Sequence, residues 1–112
     1  MKQIVKADLD KSSNSRRYPD GSIRNVVILN SVFWGRGVYQ PGWRWSTHVG
    51  AQSGKTSEAH IGYILSGTFI VKGADGIEVE VGPGEAFEVQ AGHDAWVLGD
   101  EPCVALDFGI RK

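Results

Sequence analysis

The chain has 112 residues, of which 41% are hydrophobic, and its 12 Lys and Arg residues nearly balance 13 Asp and Glu residues. This length suits one domain with a real core. The charge balance predicts no nucleic-acid partner, and the lack of an apolar run of about 18 residues predicts no membrane partner. The single cysteine excludes an intramolecular disulfide, and with no signal-like N-terminus we expect a cytoplasmic protein.

Short alternating stretches separated by glycine turns predict strands rather than helices along the whole chain. Residues 2–8 are predicted as an edge strand and 9–22 as a polar loop. The next predicted strands are 26–29, 31–39 and 43–49, followed by a loop of small residues at 50–57. The remaining predicted strands are 60–65, 68–72, 77–81, 86–91, 95–98 and 103–110. This spacing predicts an all-β antiparallel sandwich or barrel.

Two glycine-framed stretches give the chain a resemblance to the cupins, which are small jelly-roll barrels with two sequence motifs. In the first stretch, five residues separate Gly42 from His48, and six separate His60 from Gly67. The second stretch, VGPGEAFEVQAG, has the glycine spacing of the second motif from Gly84 onward. The resemblance extends over residues 38–108. It implies a double-stranded antiparallel β-helix, the jelly-roll barrel, as one domain over 1–112, with an N-terminal strand and loop at 1–25 and a core barrel at 38–110.

The metal-ligand positions of the cupin motifs hold a different set of residues in this chain. His48 stands at the first histidine position, Gly50 at the second, and His60 at the glutamate position. In the second motif Ala95 stands at the histidine position, with His93 two residues before it. The resemblance therefore implies a candidate metal site made by histidines rather than by the usual four ligands.

The candidate metal ligands are His48, His60 and His93, with Glu58 as a further possibility. Three imidazoles suit Zn, Fe, Mn, Ni or Cu and leave one coordination position open for water or substrate. Two histidines with Glu58 would instead match the facial triad of non-haem iron enzymes. The alternative is that each of these histidines, and Glu58, is an ordinary core or surface residue. No nucleotide cofactor is predicted, because no glycine-rich pattern here precedes a helix.

Four further residues are candidates for substrate binding: Arg44, Tyr63, Phe87 and Trp96. Two functions remain open from the sequence. The first is a barrel that binds a divalent metal through histidines and acts on a small oxygen-bearing molecule. The second is a metal-free barrel that binds a small ligand or has a regulatory role, without catalysis. Since cupins often dimerise, the resemblance also implies a homodimer.

Overall fold

The structure, a computed structural model, describes residues 2–110 and contains nine strands in that range. They are β1 (Asn14–Arg17), β2 (Ile23–Ile28), β3 (Val32–Tyr39), β4 (His60–Ser66), β5 (Phe69–Lys72), β6 (Glu78–Val81), β7 (Ala86–Val89), β8 (Asp94–Val97) and β9 (Cys103–Ile110). The described helical segments are a 3₁₀ turn at Leu9–Lys11, a π-helical turn at Ser46–Gly50 and a short α-helix, α1, at Ala51–Ser53. Within residues 2–110, no helix is long and apolar enough to span a bilayer.

The strands form two antiparallel sheets that face each other. The larger sheet has the order β1-β2-β3-β9-β4-β7, and the smaller has the order β6-β5-β8. The predicted all-β jelly-roll barrel is thereby confirmed. The strand predicted at 103–110 coincides with β9, which lies inside the larger sheet between β3 and β4. The long alternating pattern of β9 fits this position, because successive side chains point to opposite faces of a sheet.

The core lies between the two sheets and follows from the alternation along each strand. In β4, Gly62 and Ile64 are buried, whereas Ile61, Tyr63 and Leu65 are exposed. The buried cluster draws its members from both sheets and the loop between β3 and β4. Its members are Tyr39, Trp43, Ile64, Phe69, Val71, Val81, Val97, Cys103 and Ala105.

The prediction of a strand at 43–49 is wrong, because this segment turns into helical conformation. The backbone N–H of His48 donates to the carbonyl oxygen of Arg44 at 2.9 Å, which is a helical contact. Gly50 lets the turn close over the ring of Trp45, since a Cβ atom at Gly50 would lie 2.6 Å from that ring. Asp94 then accepts a hydrogen bond from the backbone N–H of Ser46 at 2.9 Å. The bond to the Asp94 side chain and the space left by Gly50 are features that a hydrophobic pattern does not register.

The prediction of an edge strand at 2–8 is also wrong. The described residues of this segment form no strand, and the 3₁₀ turn Leu9–Lys11 follows them. The edge of the larger sheet is instead β1, in the segment predicted as a loop, and it pairs with β2 from Asn14 opposite Val26 to Arg17 opposite Ile23. All four β1 side chains are polar and exposed. A strand of this composition has no apolar alternation by which the sequence could reveal it.

Candidate functional site

A cavity of about 440 Å³ lies between the two sheets. Aromatic side chains form much of its wall, among them Tyr39, Trp43, Phe69 and Phe87. Its polar groups include His60 and His93 as well as several charged residues. An apolar interior with a few polar groups is the usual composition of a small-molecule site.

His60 and His93 are neighbours on the cavity wall, with ring centroids 5.0 Å apart and ring planes at 58°. His60 is the first residue of β4, and it lies on the same inward face of the sheet as Gly62. The ring of Phe87 lies edge-on to His60 at 5.8 Å, and Gly62 makes room for it, because a Cβ there would be 2.5 Å from Phe87 Cζ. The site therefore depends on a glycine in the middle of β4.

His93 is held in one orientation and one tautomer by its neighbours. It is only 5% exposed, and its Nδ1–H donates to the carbonyl oxygen of Gln90 at 3.0 Å, with Ser57 Oγ also near at 3.2 Å. The Ser57 hydroxyl in turn donates to the His93 carbonyl oxygen at 2.6 Å. A proton on Nδ1 leaves the lone pair on Nε2. His93 therefore offers a fixed hydrogen-bond acceptor.

The pKa of His93 lies below its ordinary value. Burial is the largest cause, since it disfavours the charged imidazolium, and the nearby His60 lowers the pKa further. The hydrogen bond to Gln90 and the charge of Asp94 act in the opposite direction without cancelling the effect of burial. His93 is accordingly neutral at pH 7.

His48 is not part of this pair. Its Nδ1 accepts a hydrogen bond from the backbone N–H of Arg44 at 3.0 Å, and its ring stacks at 13° to Trp43, 6.4 Å away. Glu58 lines the cavity, yet in the part of the chain that the structure describes no group of three or more His, Cys, Asp or Glu residues is placed to hold a metal ion. The three-histidine site therefore is not assembled, because the π-helical turn directs His48 elsewhere.

The pair His60 and His93 does not by itself fit a protein metal site. Catalytic zinc sites have three protein ligands and structural sites have four. Facial-triad iron sites also need a third donor, a carboxylate, beside two histidines. Within residues 2–110 the pair has no such third donor.

Of the four predicted substrate-binding residues, only Phe87 lines the cavity. Tyr63 is exposed on the outward face of β4. Arg44 stacks on Trp96, with Cζ 4.1 Å from the ring centroid, and its Nη1 lies 3.3 Å from Asp94 Oδ2. Trp96 has the opposite parity to cavity-lining Ala95, so Arg44 and Trp96 pack together outside the cavity.

Asp94 fastens the π-helical turn to β8. It accepts hydrogen bonds from the backbone N–H of Ser46 at 2.9 Å, from the Ser46 hydroxyl at 2.7 Å and from the backbone N–H of Ala95 at 2.9 Å. Burial acts to raise the pKa of Asp94, but these bonds and the charge of Arg44 outweigh it and hold the pKa below its ordinary value. Asp94 is therefore an ionised anchor beside His93 in the chain.

An ion pair inside the barrel was missed by the sequence reasoning. Arg24 donates from Nε to Asp107 Oδ1 at 3.2 Å and from Nη2 to Oδ2 at 2.6 Å, and both residues line the cavity. Gly35 makes space for the pair, since a Cβ there would lie 2.5 Å from Asp107 Oδ1. In the sequence, the only signal is that Arg24 stands at an inward-facing position of β2. The predicted strand begins at residue 26 and therefore leaves Arg24 outside it.

A family profile described as the cupin domain matches residues 38–109. The chain belongs to the cupin family. The resemblance drawn from the two glycine-framed stretches is thus confirmed, although the ligand set of this cupin departs from the motif. Among the curated proteins, no sequence matches the chain.

Solved structures with the same fold resemble this cupin closely in shape and weakly in sequence. An RmlC-like cupin from Shewanella frigidimarina is 15% identical, with a TM-score of 0.67, over 95% of this chain and 89% of that one. A cupin-superfamily sugar phosphate isomerase from Silicibacter pomeroyi is 18% identical, with a TM-score of 0.68, over 96% and 76%. The polyketide cyclase RemF from Streptomyces resistomycificus is 19% identical, with a TM-score of 0.60, over 100% and 80%. At these identities the likeness establishes the fold alone.

Proposed function

We propose that this cupin binds a small oxygen-bearing molecule inside its barrel, and that His60 and His93 contact an oxygen of that molecule. The single observation that supports this most is the placement of the two imidazoles, 5.0 Å apart on the wall of a cavity of about 440 Å³. A ligand hydroxyl can donate to the Nε2 lone pair of His93, while the aromatic wall packs against the apolar part of the ligand.

A further observation supports an oxygen-bearing ligand. Two structural neighbours are a sugar phosphate isomerase and a polyketide cyclase, and both names refer to oxygen-rich molecules.

The proposal requires no metal held by the protein, because among residues 2–110 the two imidazoles are not grouped with a third metal ligand. The sequence-based prediction of a divalent metal therefore becomes an outcome of the experiment. If Zn, Fe, Mn, Ni or Cu binds this protein at one ion per chain, His60 and His93 provide two of the ligands of that ion.

The test compares three proteins after gentle purification: wild type, His60→Ala and, as a matched control, His48→Ala. Native mass spectrometry measures any small molecule retained per chain, and elemental analysis of the same samples measures the metals. We expect a non-metal ligand that wild type and His48→Ala retain and that His60→Ala loses. His48 is the control because its ring is engaged outside the pair.

Either of two outcomes contradicts the proposal. One is retention of the same ligand by His60→Ala at the wild-type level. The other is one metal ion per chain that depends on His60, which would restore the metal-dependent function in place of the metal-independent one.

A further inference from the structure

Two arginines lie directly opposite each other at the edge of the larger sheet. Arg16 of β1 pairs in register with Arg24 of β2, so both side chains point to the same face. Both line the cavity that contains His60 and His93. Like charges directly opposite each other on neighbouring strands destabilise a sheet unless a counter-charge relieves them.

Only one of these two arginines has its charge balanced by the protein. Both oxygens of Asp107 accept hydrogen bonds from Arg24, at 3.2 and 2.6 Å, so that carboxylate balances the charge of Arg24. The salt bridges found among residues 2–110 do not include Arg16, whose recorded contact is with the Tyr18 ring, 6.0 Å from Cζ. Arg16 is an exposed residue that borders the cavity, and its guanidinium has no carboxylate partner among residues 2–110.

The other charged residues on the cavity wall do not remove this excess. Lys55 adds a third cation beside the two arginines, and Glu58 adds a second carboxylate beside Asp107. Three cations thus face two carboxylates. The cavity wall thus combines aromatic side chains, an imidazole pair and an excess of one positive charge.

We propose that Arg16 holds the acid group of the ligand, so that the substrate class is a small organic acid with a carboxylate or phosphate. This inference rests on the proposed function, because it describes the same ligand in the same cavity. A planar guanidinium binds either kind of acid group with two parallel hydrogen bonds. The ligand's acid group then binds Arg16, while its hydroxyl group contacts His60 and donates a hydrogen bond to His93.

The test uses inorganic phosphate as the probe and substitutions at two adjacent positions. Arg16→Gln removes the cavity-facing charge. Arg17→Gln removes the same charge from the next residue of β1, which has the opposite parity and does not line the cavity. The melting temperature is measured against phosphate concentration at constant ionic strength, since a ligand that binds only the folded state raises it.

We expect wild type and Arg17→Gln to bind phosphate with equal affinity, and Arg16→Gln to bind it at least tenfold more weakly. In ¹⁵N-labelled wild type, phosphate should shift the amide resonances around Arg16 and Tyr18. This second measurement needs no substitution, so it also decides the question if a variant folds poorly. Sulfate and acetate in place of phosphate distinguish a preference for phosphate-like groups from a preference for carboxylates.

Equal anion affinity in the two variants, or binding of neither phosphate nor acetate by wild type, overturns the inference. Its failure is separable from that of the proposed function. If neither phosphate nor acetate binds but a ligand is still lost from His60→Ala, only the acid-group inference falls. If phosphate binds through Arg16 and no ligand depends on His60, the anion site stands and the role of the histidine pair falls.

Discussion

Replacement of Gly67 by alanine should destabilise the barrel far more than the same replacement at another turn glycine. Gly67 closes the first glycine-framed stretch and has a φ of +74°. A Cβ there would lie 2.3 Å from the carbonyl oxygen of Pro102 and 2.6 Å from Cys103 Cα. Both are backbone atoms, one in the residue before β9 and one in its first residue, and β9 is the strand on which β3 and β4 pair. Neither atom can move without disturbing that pairing.

Gly76 provides the matched comparison, because its φ is +86° and a Cβ there would meet nothing within 4 Å. Gly76→Ala therefore incurs only the left-handed backbone cost, about 1–2 kcal/mol. Gly67→Ala incurs that cost and adds overpacking against backbone, which typically costs about 1–3 kcal/mol more. The total for Gly67→Ala is about 2–5 kcal/mol.

Urea unfolding followed by circular dichroism measures both free energies, and thermal melting provides a second measure. At about 4 °C per kcal/mol, the melting temperature of Gly67→Ala should fall by roughly 8–20 °C, and that of Gly76→Ala by roughly 4–8 °C. Equal losses in the two variants would refute the reasoning, because they would mean that β9 yields freely at residues 102–103.

Three further predictions concern the site and its anchors. Asp94→Ala should lose about 1–3 kcal/mol of unfolding free energy, since it removes hydrogen bonds worth about 0.5–1.5 kcal/mol each, whereas Asp94→Asn keeps an acceptor and should lose less; urea unfolding distinguishes them. Because burial holds the pKa of His93 below 6.5, the unfolded chain takes up the proton first as the pH falls. Stability should therefore decrease on acidification from about pH 6.5 towards the folded pKa, and this decrease should be smaller in His93→Asn when unfolding is measured at pH 7.5 and 5.5. Gly62→Ala would place a Cβ 2.5 Å from Phe87 Cζ and should cost about 1–3 kcal/mol; an additional Phe87→Leu change should recover part of that loss in thermal melts.

The sequence predicted those parts of this cupin that depend on local alternation and on glycine turns. The strand at 103–110 agrees with β9 residue for residue, and the strand at 60–65 differs from β4 (His60–Ser66) by one residue. In such segments the pattern is informative because the side-chain period of two must match the buried face of a sheet. Where polar side chains decide the backbone, as in β1 and in the π-helical turn at Ser46–Gly50, the pattern predicted the wrong element.

The sequence by itself determined the family, the barrel and the three histidines as candidates, because motif spacing and alternation are properties of neighbouring residues. The tertiary structure alone decided which of the three histidines lie next to each other. His60 and His93 converge because β4 and the turn before β8 adjoin one cavity, whereas His48 is turned away by hydrogen bonds within its own segment. The pairing of Arg24 with Asp107 joins residues 83 positions apart, and it depends on strand order and on the space left by Gly35. Contacts over such separations are set by register and packing, which a linear pattern does not contain.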